Sequence, residues 1–214
     1  MNGKIVLRTR VKICGLTKIE EAVQACDLGA DAIGFVFYPK SSRFVSIEQA
    51  ALMQSAMPAF VSTVGLFVNP SRAEVEQVLE HVHLDCLQFH GDESESFCTS
   101  FSVPYMKGIR VREGVDLEAE IAKYSKSSAI LLDAYDAQSA GGTGHRFDWS
   151  IAQRCVQNSA KRIVLAGGLE ASNVAEAIEQ VRPYAVDVST GVESAPGTKS
   201  VERMKAFFNE VRSV

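Results

Sequence analysis

Short runs of β-branched and aromatic residues recur along the whole chain, and stretches with helical spacing of apolar residues separate them. Runs of this kind predict strands, and they lie at Val11–Cys14, Ala32–Phe37, Thr63–Val68, Leu84–Phe89, Tyr105–Ile109, Ala129–Leu132, Arg162–Ala166 and Ala185–Ser189. Several runs are apolar at nearly every position, a pattern typical of a parallel sheet buried on both faces. The alternation therefore predicts an α/β protein with a closed (β/α)₈ barrel, the TIM-barrel fold.

The intervening stretches predict amphipathic helices, most of them preceded by Ser, Thr, Asp or Asn, the residues preferred at helix N-caps. The clearest are Lys18–Leu28, Ile47–Ala56, Ala73–His81, Leu117–Tyr124, Ser172–Val181 and Val201–Val211. The length of 214 residues suits one α/β barrel. We therefore expect a single domain over residues 1–214, with a short extension before Val11 to which no function is assigned.

Composition excludes several classes of protein. With 22 basic and 26 acidic residues, the net charge is too small and too evenly mixed for a nucleic-acid surface or a polybasic membrane anchor. The amino terminus lacks the apolar run of about 7 to 15 residues that a secretory signal needs, and no apolar stretch approaches the roughly 20 residues of a membrane span. We expect a small-molecule ligand, no nucleic acid and no membrane, and either a monomer or a homodimer.

The five cysteines are scattered and form no Cys-x-x-Cys pair, which disfavours a zinc site or a disulfide framework. We therefore expect a reducing, cytoplasmic environment. Among the histidines, His81, His83 and His145 lack the spacing to carboxylates or cysteines that metal ligands need. No catalytic metal is predicted.

In barrels of this kind, the active site lies in the loops that follow the strands and in the last residues of the strands. Cys14 ends the first predicted strand and is followed by Gly15. Strand alternation places Lys12 on the same face as Cys14, where an ammonium would favour the thiolate. Buried cysteines usually serve as small apolar fillers, and we keep that reading for the other four.

Asp133 closes the hydrophobic run Ala129–Leu132. A carboxylate there is costly to bury unless it is paired or lies in a cleft, so the alternatives are a helix cap, a partner for a lysine, or a general acid. A carboxyl in partly apolar surroundings can keep its proton near neutral pH. Cys14 and Asp133 would then form a base and an acid across the barrel mouth.

Three glycine-rich turns follow the sixth, seventh and eighth predicted strands. Phosphate is commonly held in barrels by the last two of these loops, and the turns lack the fingerprints of nucleoside triphosphate or dinucleotide sites. A sugar phosphate fits better than a nucleotide. The predicted phosphate ligands are Gly142, Thr143, Gly144, Gly168, Ser189 and Gly191.

Arg43 lies in the loop after the second predicted strand, where its planar fork could bind a substrate carboxylate in bidentate fashion. Three further residues are possible substrate contacts. Gln88 and His90 lie around the end of the fourth strand, and packing or loop hydrogen bonding is the alternative for both. Asp187 lies within the eighth strand, where alternation allows it to pair with Lys12 or to touch the ligand.

Seven ordered segments together resemble the phosphoribosylanthranilate isomerase family of tryptophan biosynthesis. They are Val11–Thr17, Gly34–Arg43, Leu87–Gly91, Leu132–Ala134, Gly141–Gly144, Leu165–Leu169 and Val186–Glu193. The resemblance runs from about Val11 to the carboxyl terminus. It implies an Amadori rearrangement of N-(5-phosphoribosyl)anthranilate without a cofactor.

Carried onto this sequence, the resemblance implies that Asp133 protonates the furanose ring oxygen and that Cys14, as a thiolate, removes the C2 proton. Arg43 would bind the anthranilate carboxylate, and the glycine-rich loops would bind the phosphate. One rival is a related barrel isomerase that acts on phosphoribosyl-formimino carboxamide substrates. The resemblance disfavours it, because that family has an aspartate at the end of the first strand where this chain has Cys14. Another is a phosphate-binding barrel without catalytic activity, and the presence of Cys14, Asp133 and Arg43 disfavours it.

Overall fold

Eight parallel strands form a closed barrel in chain order, so that the first strand pairs with both the second and the eighth. The computed structural model describes residues 8–111, 114–134 and 148–214. The strands are β1 Arg10–Cys14, β2 Ala32–Val36, β3 Ser62–Phe67, β4 Cys86–Phe89, β5 Tyr105–Val111, β6 Ala129–Ala134, β7 Ile163–Ala166 and β8 Ala185–Val188. The predicted (β/α)₈ barrel is confirmed.

A helix follows each strand along the chain. The helices are α1 Ile19–Asp27, α2 Ile47–Ser55, α3 Arg72–His81, α4 Glu95–Cys98, α5 Leu117–Ala122, α6 Trp149–Asn158, α7 Val174–Val181 and α8 Val201–Arg212. The sequence prediction did not include α4 and α6. Helix α4 has four residues, too few to display a helical period. Helix α6 buries Trp149, Ala152 and Cys155, a spacing of three that does carry the helical signal.

Between β8 and α8 the chain makes a short excursion outside the barrel. It contains a 3₁₀ helix, Thr190–Val192, and a two-stranded antiparallel ladder of β9 Glu193–Ala195 and β10 Thr198–Lys199. The ladder pairs Lys199 with Glu193. This excursion was not predicted from the sequence, since two very short strands show no alternation of their own.

Serine caps the start of several helices. Ser46 accepts a bond from the backbone N–H of Gln49 at 3.2 Å, and the Gln49 side chain accepts one from the Ser46 N–H at 3.0 Å. Ser71 and Glu74 form the same reciprocal capping box at α3. Each cap contributes about 1 kcal/mol, so the predicted N-cap signals at these helices have a physical basis.

Alternate side chains of each strand face the inside and the outside of the barrel. On β6, Ile130 and Leu132 join the large outer core, whereas Leu131 joins a small inner cluster. Asp133 shares the face of Leu131, because the two are separated by one residue. The inner faces of several strands thus end in polar side chains at the carboxyl end of the barrel. No helix within the described ranges is long and apolar enough to span a bilayer.

Candidate active site

A cavity of about 560 Å³ opens at the carboxyl ends of the strands. It brings together the predicted site residues that the structure describes, namely Cys14, Arg43, Gln88, His90, Asp133, Gly168, Asp187, Ser189 and Gly191. Gly142, Thr143 and Gly144 lie outside the described residues. The residues chosen from strand ends and following loops therefore share one cavity, as the barrel topology requires.

The β1 and β8 wall of this cavity contains a buried ion pair. Lys12 and Asp187 are register partners on these neighbouring strands, and Lys12 Nζ donates to both carboxylate oxygens at 3.0 Å. Burial is the largest influence on Lys12 and lowers its pKa, but Asp187 and Cys14 together outweigh it, so the pKa is raised above its ordinary value. Lys12 therefore remains an ammonium ion beside Cys14.

The Cys14 thiol lies at the end of β1 with only 5% of the residue exposed. A Cβ on Gly34, its register partner on β2, would lie 2.9 Å from Sγ, so glycine is needed there to leave room for the thiol. Burial raises the pKa of Cys14 more than Lys12 lowers it. Lys12 favours the thiolate as expected, but desolvation of the thiolate outweighs the attraction of the ammonium, so the pKa lies above that of a free thiol.

Arg43 extends from the loop after β2 to the excursion after β8. Its Nε and Nη2 donate to the two carboxylate oxygens of Glu193, each at 2.7 Å, and Nη2 also donates to Thr190 Oγ1 at 3.2 Å. Gly15, at φ +75°, has no Cβ where the Arg43 side chain passes. Arg43 lines the cavity as predicted, but one edge of its guanidinium is bound by Glu193.

Glu193 also binds a second cation. Lys199 Nζ donates to Glu193 Oε1 at 2.7 Å and to the Ser189 carbonyl and hydroxyl oxygens at 3.2 Å. Burial raises the pKa of Glu193, but the bonds from Arg43 and Lys199 outweigh it and lower the pKa overall. Glu193 is thus an ionised carboxylate between two cations.

On the opposite wall, a hydrogen-bonded line ends at Asp133. Gln88 Nε2 donates to His90 Nδ1 at 3.2 Å, and His90 Nε2 donates to Asp133 Oδ2 at 3.1 Å. The His90 ring packs against Gly108, where a Cβ would collide with Nδ1. Gln88 and His90 therefore orient the Asp133 carboxyl group, a connection that the sequence alone did not show.

The loops after β7 and β8 pack directly against each other. Gly167 and Gly168 have φ values of +84° and +65°, which glycine adopts at little cost. A Cβ on Gly191 would collide with the Leu169 carbonyl oxygen. Ser189 Oγ donates to the Cys14 carbonyl oxygen at 3.0 Å, so this hydroxyl ties β8 to β1. The close approach brings the backbone of both turns to one side of the cavity.

Sequence reasoning missed Glu193 and Lys199, which do not line the cavity but hold Arg43 beside it. Glu193 follows Ser189 and Gly191, which the sequence predicts as phosphate ligands in the third glycine-rich turn. An acidic residue beside a predicted anion site would repel the anion unless a cation of the protein neutralised it. Glu193 was therefore a signal in the sequence that such a cation lies nearby. The pairing of Lys199 with Glu193 depends on the two-stranded ladder and had no counterpart in the sequence pattern.

Comparison with known proteins agrees with this geometry. A family model described as "N-(5'phosphoribosyl)anthranilate (PRA) isomerase" matches residues 11–210. An N-(5'-phosphoribosyl)anthranilate isomerase of Pseudomonas putida (strain W619) is 53% identical over 203 residues, which are 95% of this chain and 97% of the relative.

Two solved structures are similar over nearly their whole length. The phosphoribosyl anthranilate isomerase of Thermotoga maritima is 39% identical with a TM-score of 0.88, and the match covers 96% of this chain and 100% of that one. A phosphoribosyl anthranilate isomerase in complex with reduced 1-(o-carboxyphenylamino)-1-deoxyribulose 5-phosphate is 38% identical with a TM-score of 0.85 and the same coverage.

Proposed function

This chain belongs to the phosphoribosylanthranilate isomerase family, and we propose that Cys14 and Asp133 are the base and the acid of its reaction. The enzyme converts N-(5-phosphoribosyl)anthranilate into 1-(2-carboxyphenylamino)-1-deoxyribulose 5-phosphate in tryptophan biosynthesis. The observation that carries the residue assignment is the single cavity lined by Cys14, Asp133, Arg43 and the loops after β7 and β8.

In the first step, Asp133 donates a proton to the furanose ring oxygen. The C1–O bond breaks, and the nitrogen lone pair forms the C1=N bond of a protonated Schiff base. The Asp133 side chain is 29% exposed and lines the cavity, so it can reach a substrate there. His90 bonds to one of its oxygens, which leaves the other oxygen for the proton that is transferred.

In the second step, Cys14 as a thiolate removes the C2 proton. The C2–H electrons form the C1=C2 bond, the C1=N bond becomes single, and the resulting enolamine tautomerises to the ketone. Before this step the Cys14 thiol loses its proton to solvent at the cavity mouth, and its raised pKa makes the resulting thiolate a strong base. The positive charge of the protonated Schiff base favours that thiolate, because an opposite charge nearby stabilises the ionised form.

The two ends of the substrate are anionic and call for separate sites. We assign the anthranilate carboxylate to Arg43, which lines the cavity. We assign the phosphate to the turns containing Gly168, Ser189 and Gly191, and Gly142, Thr143 and Gly144 remain predictions for the same site. Anchoring both ends orients C1 and C2 between acid and base, which contributes several kcal/mol to catalysis, on the order of what positioning typically supplies.

The proposed steps are proton transfers within one substrate, so they need no cofactor and no external electron acceptor. A cytoplasmic location fits the scattered cysteines, which are free thiols, because thiols stay reduced in that compartment. We also propose that residues 1–214 form one catalytic domain, since the family model spans 11–210.

The test is a fluorescence assay that follows the loss of phosphoribosylanthranilate. We expect Cys14→Ala and Asp133→Asn each to lower kcat by about 10² to 10⁴, the usual contribution of general acid–base transfer. Cys26→Ala is the matched control, because Cys26 contacts Met57 and does not line the cavity. Activity close to that of the parent protein in both cavity variants would overturn the assignment.

A further inference from the structure

We propose that Glu193 is a positioning residue that orients Arg43 and so makes the site selective for a substrate with a carboxylate. The inference rests on the proposed role of Arg43 as the carboxylate ligand. It concerns a residue that does not touch the substrate and acts only through the guanidinium.

The first support is the geometry of the Arg43–Glu193 contact. The Glu193 side chain is 3% exposed, and both of its oxygens accept bonds of 2.7 Å from Arg43. Two parallel bonds between planar groups restrict rotation of the guanidinium as well as its distance. Such a bond pair therefore determines the direction of the remaining N–H groups of Arg43.

The second support is that Glu193 is itself held rigidly. Lys199 Nζ donates to Oε1 at 2.7 Å, and the lysine side chain is fully buried. The ladder of β9 and β10 places Lys199 opposite Glu193, and Arg203 donates to the Glu193 carbonyl oxygen. The excursion after β8 thus forms a platform for Arg43, and the bonds from Lys199 to Ser189 tie it to the end of β8.

The third support is what the contact leaves for a ligand. A guanidinium has five N–H donors, and Glu193 takes the edge formed by Nε and Nη2. The second N–H of Nη2 donates to Thr190 Oγ1, so the two N–H groups of Nη1 remain for a ligand. The Arg43 side chain is 23% exposed and lines the cavity, so Nη1 can meet a carboxylate there.

Charge points in the same direction. Arg43 and Lys199 contribute two positive charges and Glu193 one negative charge, so these three retain one positive charge, and the Arg203 guanidinium bonded to the Glu193 carbonyl oxygen adds another. This positive charge attracts a substrate carboxylate. A prepositioned fork also loses little side-chain entropy when the ligand binds, which improves affinity without a new contact.

The test is Glu193→Gln, which keeps the size of the side chain but places an NH₂ group against an Arg43 donor. We expect KM for phosphoribosylanthranilate to rise about 10- to 100-fold, the worth of a hydrogen bond to a charged group, while kcat changes less. With N-(5-phosphoribosyl)aniline, an analogue without the carboxylate, the KM values of the two proteins should agree. An equal rise in KM for both substrates would overturn the proposal.

A double-mutant cycle separates positioning from a general structural effect. If Glu193 acts through Arg43, Glu193→Gln should add nothing to the KM of Arg43→Ala, and independent, additive losses would contradict the inference. Should Glu193→Gln fail to fold, Glu193→Asp serves instead. It keeps the charge but shortens the reach, and we expect a smaller rise in KM for the same substrate only.

Glu93→Gln is the matched control. Glu93 is also a buried carboxylate, and Lys107 Nζ donates to it at 2.7 Å, but its other bonds come from the backbone of Asn69 and Gly91 and not from Arg43. This variant should lose stability without changing the ratio of KM values for the two substrates. Arg43→Ala tests the underlying assumption alone: if it raised KM equally for both substrates, the carboxylate role of Arg43 would fail before Glu193 is considered.

Discussion

The two walls of the cavity stabilise their charged groups in different ways. The base wall, which we define as Lys12, Cys14 and Asp187, is almost completely buried. The acid wall, defined as Gln88, His90 and Asp133, ends in a carboxyl group that is 29% exposed. Charges on the base wall are therefore stabilised by one another, whereas water shares in stabilising those on the acid wall.

This difference teaches how one barrel mouth can hold both a base and an acid. Desolvation keeps the Cys14 pKa high, so loss of the thiol proton to solvent depends on positive charge nearby, from the Lys12 ammonium and from the protonated Schiff base. In that buried environment Lys12 and Asp187 form an ion pair, and each charge is stabilised mainly by the other. The Asp133 carboxyl group on the acid wall is partly exposed to water and needs no buried counter-ion. Three measurements sharpen this comparison, taken from the largest expected effect to the smallest.

Asp187→Asn should have the largest effect, because it leaves the buried Lys12 ammonium without its counter-ion. Breaking a buried pair in this way costs about 3 to 5 kcal/mol, and urea unfolding at neutral pH would measure the loss in free energy of unfolding. Glu76→Gln breaks an exposed pair with Arg72 and should cost only about 0.3 to 0.5 kcal/mol. A similar, small loss in both variants would show that the base wall does not depend on the pair.

The second measurement is the pH dependence of the alkylation rate of Cys14, where we expect a shift of intermediate size. Because burial raises its pKa, the rate of reaction with iodoacetamide should rise with pH only above the range where the urea-unfolded chain reacts. Peptide mapping by mass spectrometry follows Cys14 separately from the other cysteines, and Cys14→Ser identifies its signal. A midpoint at or below that of the unfolded chain would contradict the raised pKa.

The sign of the linked stability effect follows from the same shift. A thiol with a raised pKa in the folded state favours folding while it is protonated. This contribution is fully present below the pKa of the unfolded thiol and is lost as the pH rises through the folded value.

Asp133→Asn should have the smallest effect on stability, although it removes the proposed acid. The Asp133 carboxylate is partly exposed and its contact with His90 is a single bond of 3.1 Å, so we expect a change of about 0 to 1 kcal/mol. Urea unfolding beside Asp187→Asn measures it directly. A loss as large as that of Asp187→Asn would mean that the two walls are equally dependent on buried charge.

Much of this architecture could be predicted from the sequence because it depends on local pattern. The apolar runs identified all eight barrel strands, and the rule that barrel sites follow strand ends selected Cys14, Arg43 and Asp133, which line one cavity. Helix α4 escaped prediction because four residues carry no periodicity. The direction of the Cys14 pKa shift could not be predicted either, since a sequence shows a neighbouring lysine but not the extent of burial.

The sequence by itself determined the eight barrel strands, six of the eight helices, the polar ends of the strands and the membership of the family, because each depends on residues close together in the chain. Only the tertiary structure decided the partners. Asp187 meets Lys12 across 175 positions and Glu193 meets Arg43 across 150. The physical reason is closure of the barrel: β8 becomes the neighbour of β1, and charges from opposite ends of the chain then share one dry environment.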